Sequence, residues 1–415
     1  MIPKNGKSLL ERVIPWASKG HMWRSRPLKD RYDLVIIGGG AHGLATAYYL
    51  AKAHGLNDVA VLDKGYLGSG GSGRNTAIIR SNYRTEEGIL FYDASVKMYQ
   101  GLSQELGYNV MFSQHGHLTL AHSDRGINNL RERAERNRIL GVNSRLIWPD
   151  EIQRLVPHLD VSDTPRYPIL AGLWHPPGGI IRHDAVVWGY AREADRRGVH
   201  LHPKTEVTAI RLDHNRVSAV ETNRGVIKTG MVLNATAGWC STIAKMVGLR
   251  LPVVTHPLQA LVTEPLKPFL NTVVVSATLH VYVSQTDRGE LVIGSEIDPY
   301  ASYNFQSTLP FLEGSALHLL ELMPALAEVK VLRQWTGICD MTPDFSPIMG
   351  FTSVEGFIQD VGWGTYGFKA SPIAGKTMAE LIATGKTPGL IQPFALERFY
   401  RADLVGEKAA ASVSH

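Results

Sequence analysis

The chain has 415 residues, 44% of them hydrophobic and 20% charged, with a formal net charge of +5; this suits two domains, or one with a large insertion, around a sizeable core. Its basic residues are scattered, and the densest cluster (Arg131, Arg133, Arg136, Arg138) is interleaved with Glu132 and Glu135 as on a solvated helix face, which argues against a nucleic-acid partner. Two cysteines, Cys240 and Cys339, offer no disulfide framework and no metal-ligand spacing and point to a reducing compartment, the cytoplasm, while no apolar run approaches the ~20 residues of a membrane span.

Residues 1–31 are basic and proline-interrupted and lack the apolar core of a secretion signal. They read as an arm lying on the protein or on a partner subunit, or as a disordered tail. Asp33 to Asp63 then reads as strand, glycine turn, helix and second strand ending in an acid. Gly38 permits the turn, and Gly40 lets a pyrophosphate approach the backbone. Gly43, with Ala47 one turn on, lets the helix lie close to the sheet. Ala41 and His42 open that helix, whose free N–H groups and positive end face the phosphates. Asp63 falls where ribose hydroxyls would lie, and its charge would repel a 2′-phosphate. This is a dinucleotide site; its competitor is a glycine-rich turn in an unrelated α/β fold.

The loop from Gly65 to Gly73 is too rich in glycine for an element interior. With Arg74 to Arg80 it suits a chain wrapping a flat cofactor; the plain alternative is a surface loop. Apolar spacing predicts a helix over 85–106, strands at 111–113 and 117–121, a charged helix over 124–140 and a short helix from Pro149. Residues 157–168 read as a linker. A strand at 169–174 precedes Arg182-His183-Asp184 and a helix to about Arg197. Strands follow at 205–213, 216–222 and 231–234, and Asn234 to Trp239 reads as a small-residue turn beneath a dinucleotide. Alternation from 252 to 331 predicts an antiparallel sheet with one face covered, completed by a helix near 309–323. Strands at 331–335 and 356–362, a glycine loop over 363–369 and a helix over 371–382 return to the first unit.

Several of these segments carry a family likeness. The glycine turn with Asp63, Arg74 to Tyr83, Arg182-His183-Asp184, His256 to Ala260, His280 to Ser284 and Gly362 to Lys369 together resemble the beta subunit of heterotetrameric sarcosine oxidase, from about Tyr32 to Phe399. The resemblance implies an α/β fold with a Rossmann-type FAD-binding domain (32–84, 169–251 and 332–400) and a second, antiparallel-sheet domain facing substrate and partners (85–168 and 252–331), with an arm at 1–31 and a tail at 401–415. It implies noncovalent FAD, and FMN linked covalently through His183 at the junction with an alpha subunit, in a complex with gamma and delta subunits. The implied reaction is oxidation of a secondary amino acid, for sarcosine to glycine and formaldehyde, with electrons passing from FAD to FMN and on to oxygen as hydrogen peroxide. Related complexes act on proline, hydroxyproline, opines or glycine. No metal is implied.

Within that frame Lys369 and Arg80 are the functional residues expected to face the substrate carboxylate or the flavin edge. Lys369 is expected just ahead of a helix N-terminus. Thr76, Ile79 and Val207 are expected as FAD wall or backbone contacts, with Arg74, Gly364 and Gly367 also at the cofactor. Arg182, His256 and Arg333 are candidates for the FMN phosphate and ring edge. His280 and Tyr282 line the substrate face of the sheet, or pack as ordinary alternating core. Two departures from the family pattern stand out: Ile180-Ile181 beside the histidine, and Tyr366, a phenol expected to narrow the pocket. Cys339 reads as a buried small side chain rather than a flavin anchor. Two other readings share these residues: an amine dehydrogenase subunit with another acceptor, and an electron-transfer subunit with no substrate site.

Overall fold

A computed structural model describes residues 22–407; residues 1–21 of the arm and 408–415 of the tail lie outside the described residues. Two large sheets carry the molecule. In the first, Leu34–Ile37 pairs in parallel with Val59–Leu62 on one side and Val232–Asn234 on the other. His200–His202 and Phe357–Val361 extend it in parallel, and Ile348–Phe351 closes one edge antiparallel. The two leading strands are apolar throughout because both faces are covered. Leu34, Ile36, Val59 and Val61 enter the core beneath the helices Ala41–His54, His183–Arg196 and Gly367–Thr384. Val35, Ile37, Ala60 and Leu62 enter a second core, shared with a three-stranded antiparallel sheet, Val207–Asp213, Arg216–Thr222 and Gly225–Lys228.

The dinucleotide helix Ala41–His54 packs closely on two sides of its first turns. A Cβ on Gly43 would run into the Gly38 carbonyl oxygen, and one on Gly375 into Ala45. Glycine is therefore what lets this helix touch both its own turn and the Gly367–Thr384 helix.

The second sheet has eight strands, in the order Val331–Met341, Val254–Pro265, Glu290–Ile297, Val281–Gln285, Val273–Ser276, His117–Ala121, Ala171–His175, Arg145–Ile147. All neighbours are antiparallel except Val273–Ser276 with His117–Ala121, which is parallel. The antiparallel sheet expected over 252–331 forms, since the pairings within that stretch are antiparallel; the parallel seam joins it to His117–Ala121, outside that stretch. Two blocks distant in sequence meet there, and no hairpin imposes the antiparallel sense. Strand pairing also places 171–175 and 331–341 in this second sheet, although the sequence reading grouped them with the first.

The strand expected at 111–113 does not form. Met111 has φ +52°, its N–H is taken by the Asn109 side chain, and only an isolated bridge joins Ser113 to Ile180. The arm residues Arg24 and Arg26 reach Asp195, at 2.9 and 3.4 Å from their Nε atoms. At the other end Glu407 is buried and accepts the N–H groups of Arg84 and Thr85, at the start of the Glu86–Leu106 helix. Among the described residues no helix is long and apolar enough to cross a membrane.

Candidate active site

A cavity opens between the two sheets, with about 1600 Å³ of empty space, mouth included. One end lies at the glycine turn. Gly38 has φ +114°, and a Cβ there would strike the Ala235 carbonyl. Gly39 N–H donates to Asp63 Oδ2 (2.9 Å) and Gly65 N–H to Oδ1 (2.7 Å). Burial nevertheless pushes the Asp63 carboxyl above its ordinary value. Gly40 caps the helix with no side-chain hydrogen bond, and Ala41 N–H donates to Ser72 Oγ at 2.9 Å. Ser72 and Gly71 line the cavity beside His42. Ser72 thus already takes one N–H of the positive helix end, and the cavity opens beside that end over small residues.

His42 Nδ1 lies 3.0 Å from Asp360 Oδ2, and Nε2 lies 2.7 Å from the Gly367 carbonyl oxygen. Burial alone would lower its pKa; the Asp360 carboxylate and the Gly367 carbonyl outweigh that and hold it above the ordinary imidazole value.

The cavity also holds two basic side chains, a buried Arg80 and a part-buried Lys369. Arg80 donates to Asn82 Oδ1 (2.8 Å), and its guanidinium lies 4.4 Å from the Tyr83 ring centre. Lys369 Nζ donates to the Thr365 carbonyl at 3.3 Å. Burial, and then the charge of Arg80, push the Lys369 ammonium down to about 7. Lys369 occupies the third position of the Gly367–Thr384 helix, so the expected helix start at 371 is corrected by four residues. Pro372 explains the difference. It has no N–H for the Phe368 carbonyl, which would end a helix were that oxygen not taken elsewhere. Here Tyr99 Oη donates to Phe368 O (2.6 Å) and Ser95 Oγ to Lys369 O (2.6 Å).

The sheet wall adds His117 and Thr119, alternate residues of one strand. His117 Nδ1 and Thr119 Oγ1 are buried without a hydrogen-bond partner. Burial, followed by the charges of Arg80 and Arg133, keeps the His117 imidazole neutral. Tyr282 accepts from Thr76 Oγ1 at 3.2 Å, and burial raises its phenol to about 12. Ala77, Ala237 and His280 all line the cavity with φ of +58°, +48° and +49°. Such conformations cost non-glycine residues ~1–2 kcal/mol each, and strain of this kind gathers at functional sites.

Comparison with known proteins now decides the family. Residues 33–381 match the family described as FAD dependent oxidoreductase. The sarcosine oxidase subunit beta of Rhodobacter capsulatus is 45% identical over 393 residues, 95% of this chain and 94% of that protein. The chain belongs to the FAD dependent oxidoreductases, among the sarcosine oxidase beta subunits. The Arthrobacter sarcosine oxidase subunit beta is 43% identical over 95% of this chain and 97% of its own length. Among solved structures, L-proline dehydrogenase from P. horikoshii superposes with a TM-score of 0.86 at 31% identity, over 91% of this chain and 100% of that one. The fold expected from the sequence, a Rossmann-type sheet with a second sheet facing it, is the fold of this family.

The cavity gathers His42, Arg74, Thr76, Arg80, Gly364, Gly367 and Lys369 from the sequence-predicted set, with His280 and Tyr282. Gly38, Gly40, Ala41, Gly43 and Asp63 form the turn and second-strand end behind it. Arg74 donates to the Ser69 and Thr336 carbonyls, both at 3.2 Å, and stacks on Phe305. Other expected residues have side chains placed outside the cavity wall. Ile79 lies in the core, and its neighbour Ile78 faces the cavity, because adjacent strand residues point to opposite sides. Val207 is buried in the core beneath the three-stranded sheet and is not part of the cavity wall. Tyr366 turns away from the pocket: its hydroxyl donates to the Glu407 carbonyl (3.1 Å) and its ring packs against Tyr83. Cys339 lines the cavity but is buried, and burial raises its thiol well above the ordinary range.

The FMN candidates are placed on three different elements, and none lines the cavity. His183 opens the His183–Arg196 helix with Nδ1 buried and unpartnered, its ring edge-on to Phe368 at 6.5 Å. Burial lowers its pKa, which leaves the ring neutral. Arg182 pairs with Asp184 at 2.6 Å. His256 Nδ1 donates to the Asp298 carbonyl at 3.0 Å, and Arg333 is exposed on its strand. Sequence reasoning missed His117 and Thr119. Their signal was available: two polar residues alternating with Leu118 and Leu120 in a strand buried on both faces.

Proposed function

We propose that this chain binds FAD in the cavity between its sheets and oxidises a secondary amino acid, with sarcosine the first candidate, as the beta subunit of a hetero-oligomer. One observation carries the reading: a single cavity, lined by His42, Gly71 and Ser72 beside the glycine turn, also takes in Arg80 and Lys369. The site suits FAD because side-chain-free positions (Gly38, Gly40, Gly43) leave backbone N–H groups for phosphates, and an acid stands at Asp63. When bound, FAD supplies the acceptor for the hydride on the carbon next to nitrogen.

The chain's own residues do the rest. Arg80 and Lys369 hold the substrate carboxylate by charge-assisted hydrogen bonds. Lys369 takes up a proton as the carboxylate arrives. His117 lines the same cavity with a neutral imidazole, a hydrogen-bond partner for the substrate amine. The first turn of the Gly367–Thr384 helix aims its positive end at the cavity, worth on the order of 1 kcal/mol toward developing negative charge. Covalent FMN at His183, the alpha, gamma and delta partners, and the division into a cofactor unit and a substrate unit belong to the same proposal. The orphaned, neutral His183 imidazole supports the linkage, since only an unprotonated nitrogen can attack the flavin methyl carbon.

Anaerobic addition of sarcosine to the purified protein tests the activity. Bleaching of the flavin absorbance is expected; an unchanged spectrum with sarcosine, proline and other N-alkyl amino acids would leave an electron-transfer subunit. Mass spectrometry of the denatured chain tests the linkage, and an unshifted mass at full flavin occupancy removes it. The likeness to L-proline dehydrogenase favours a second reading, a dehydrogenase with another electron acceptor. Oxygen consumption separates it from turnover seen only with an artificial dye.

A further inference from the structure

We propose that His42 is a positioning residue: held as an imidazolium, it clasps the start of the Gly367–Thr384 helix to the start of the dinucleotide helix and sets a fixed positive charge in the cavity wall. Its effect on the flavin rests on the FAD reading above; the clasp and its proton do not.

The hydrogen-bond inventory decides the charge. A neutral imidazole has one N–H and one bare nitrogen. Both His42 nitrogens face acceptors, the Asp360 carboxylate at 3.0 Å and the Gly367 carbonyl at 2.7 Å. A carbonyl oxygen can only accept, so Nε2 carries a proton. Asp360 already accepts the Trp363 indole N–H at its other oxygen (2.7 Å), as a carboxylate does. With Asp360 ionised the second proton lies on Nδ1, whereas a neutral Asp360 would leave Nδ1 bare. The Asp360 side chain is fully buried and the His42 side chain nearly so, and the imidazole packs on the Trp363 ring at 4.6 Å between centres. Asp360 and, beyond it, Asp340 are the acidic groups acting on the ring.

Placement gives the consequence. His42 is the second residue of one helix and Gly367 the first of the other, so a cation joins two positive helix ends. For the helices alone this is the wrong sign, and a neutral or acidic side chain would serve stability better. Asp360 compensates from within the protein and is not part of the cavity wall, whereas His42 is. The pair is thus oriented with its positive member toward the bound anion. Loss of this charge would make a flavin in the cavity harder to reduce.

The test uses full-length protein with 15N-labelled histidine side chains at about pH 8, above the ordinary imidazole value of roughly 6.5. One histidine, absent from the spectrum of His42→Gln, should show both ring nitrogens protonated. A His42 signal with one bare nitrogen overturns the proposal. Should His42→Gln fail to fold, Asp360→Asn serves instead: the imidazolium signal should vanish, and its persistence overturns the role given to Asp360. The midpoint potential of bound flavin should be more negative in His42→Gln than in the parent, and an equal potential overturns the electrostatic role. A chain that purifies without any flavin sinks the FAD reading but leaves the NMR result to stand by itself.

Discussion

Lys369 and Arg80 line one cavity, and the Arg80 charge makes that of Lys369 more costly. An incoming carboxylate relieves that cost and favours the protonated lysine. Carboxylate affinity should therefore be greatest below about pH 7 and should fall up to ~tenfold per unit above it, until the lysine of the complex itself loses its proton. Titration of a small carboxylate inhibitor against pH checks this, and Lys369→Met should weaken binding and flatten the profile. In the free protein the sign is reversed. The unfolded lysine holds its proton up to its ordinary value of 10.5, so the cost of burying Lys369 is greatest below about pH 7 and is relieved as pH rises toward 10.5. At this scale the sequence spoke where glycine punctuation or a long motif fixed a position, as at Arg80, Thr76 and Lys369. It misassigned residues that depend on strand phase or on the direction of one ring. Ile78 and Ile79 are equivalent by composition, and pairing with Gly179–Ile180 decides which faces inward. Tyr366 sits in the predicted glycine loop, but the Glu407 carbonyl, 41 residues away, turns its hydroxyl from the cavity.

The Gly367–Thr384 helix shows how one element depends on another. Its first turn carries the cavity residues Gly367, Phe368 and Lys369, yet Pro372 withholds the N–H that would bind the Phe368 carbonyl. Tyr99, on the Glu86–Leu106 helix, supplies the donor. Tyr99→Phe leaves a buried carbonyl unpaired and should destabilise the protein by about 1–3 kcal/mol, read from the urea midpoint. Carboxylate affinity should fall with it, since the turn that presents Lys369 loses its support. The helix itself was legible, but its start was not: proline signals a helix beginning, and the compensating hydroxyl lies on a helix more than 260 residues earlier. The charged and amphipathic helices fared better, because apolar spacing and caps are local. Thr85 accepts from Gly88 N–H and Ser123 from Gly126 N–H at their starts.

For the whole molecule, the two-sheet plan was legible from one strong glycine-turn motif and one long alternating region. The seam between the sheet blocks was not, because a parallel pairing between His117–Ala121 and Val273–Ser276 leaves no mark on either strand. That seam nevertheless places His117 and Thr119 opposite the glycine turn's side of the cavity, and makes a substrate wall from two distant stretches of chain. The account depends on a dinucleotide flavin occupying the space those walls enclose. The most direct measurement is to precipitate the purified protein with acid and identify the flavin released. One FAD per chain should appear in the supernatant, with any further yellow colour remaining in the pellet on the His183 peptide. A colourless protein that takes up no FAD when it is supplied, or one that releases only a nicotinamide dinucleotide, would contradict it.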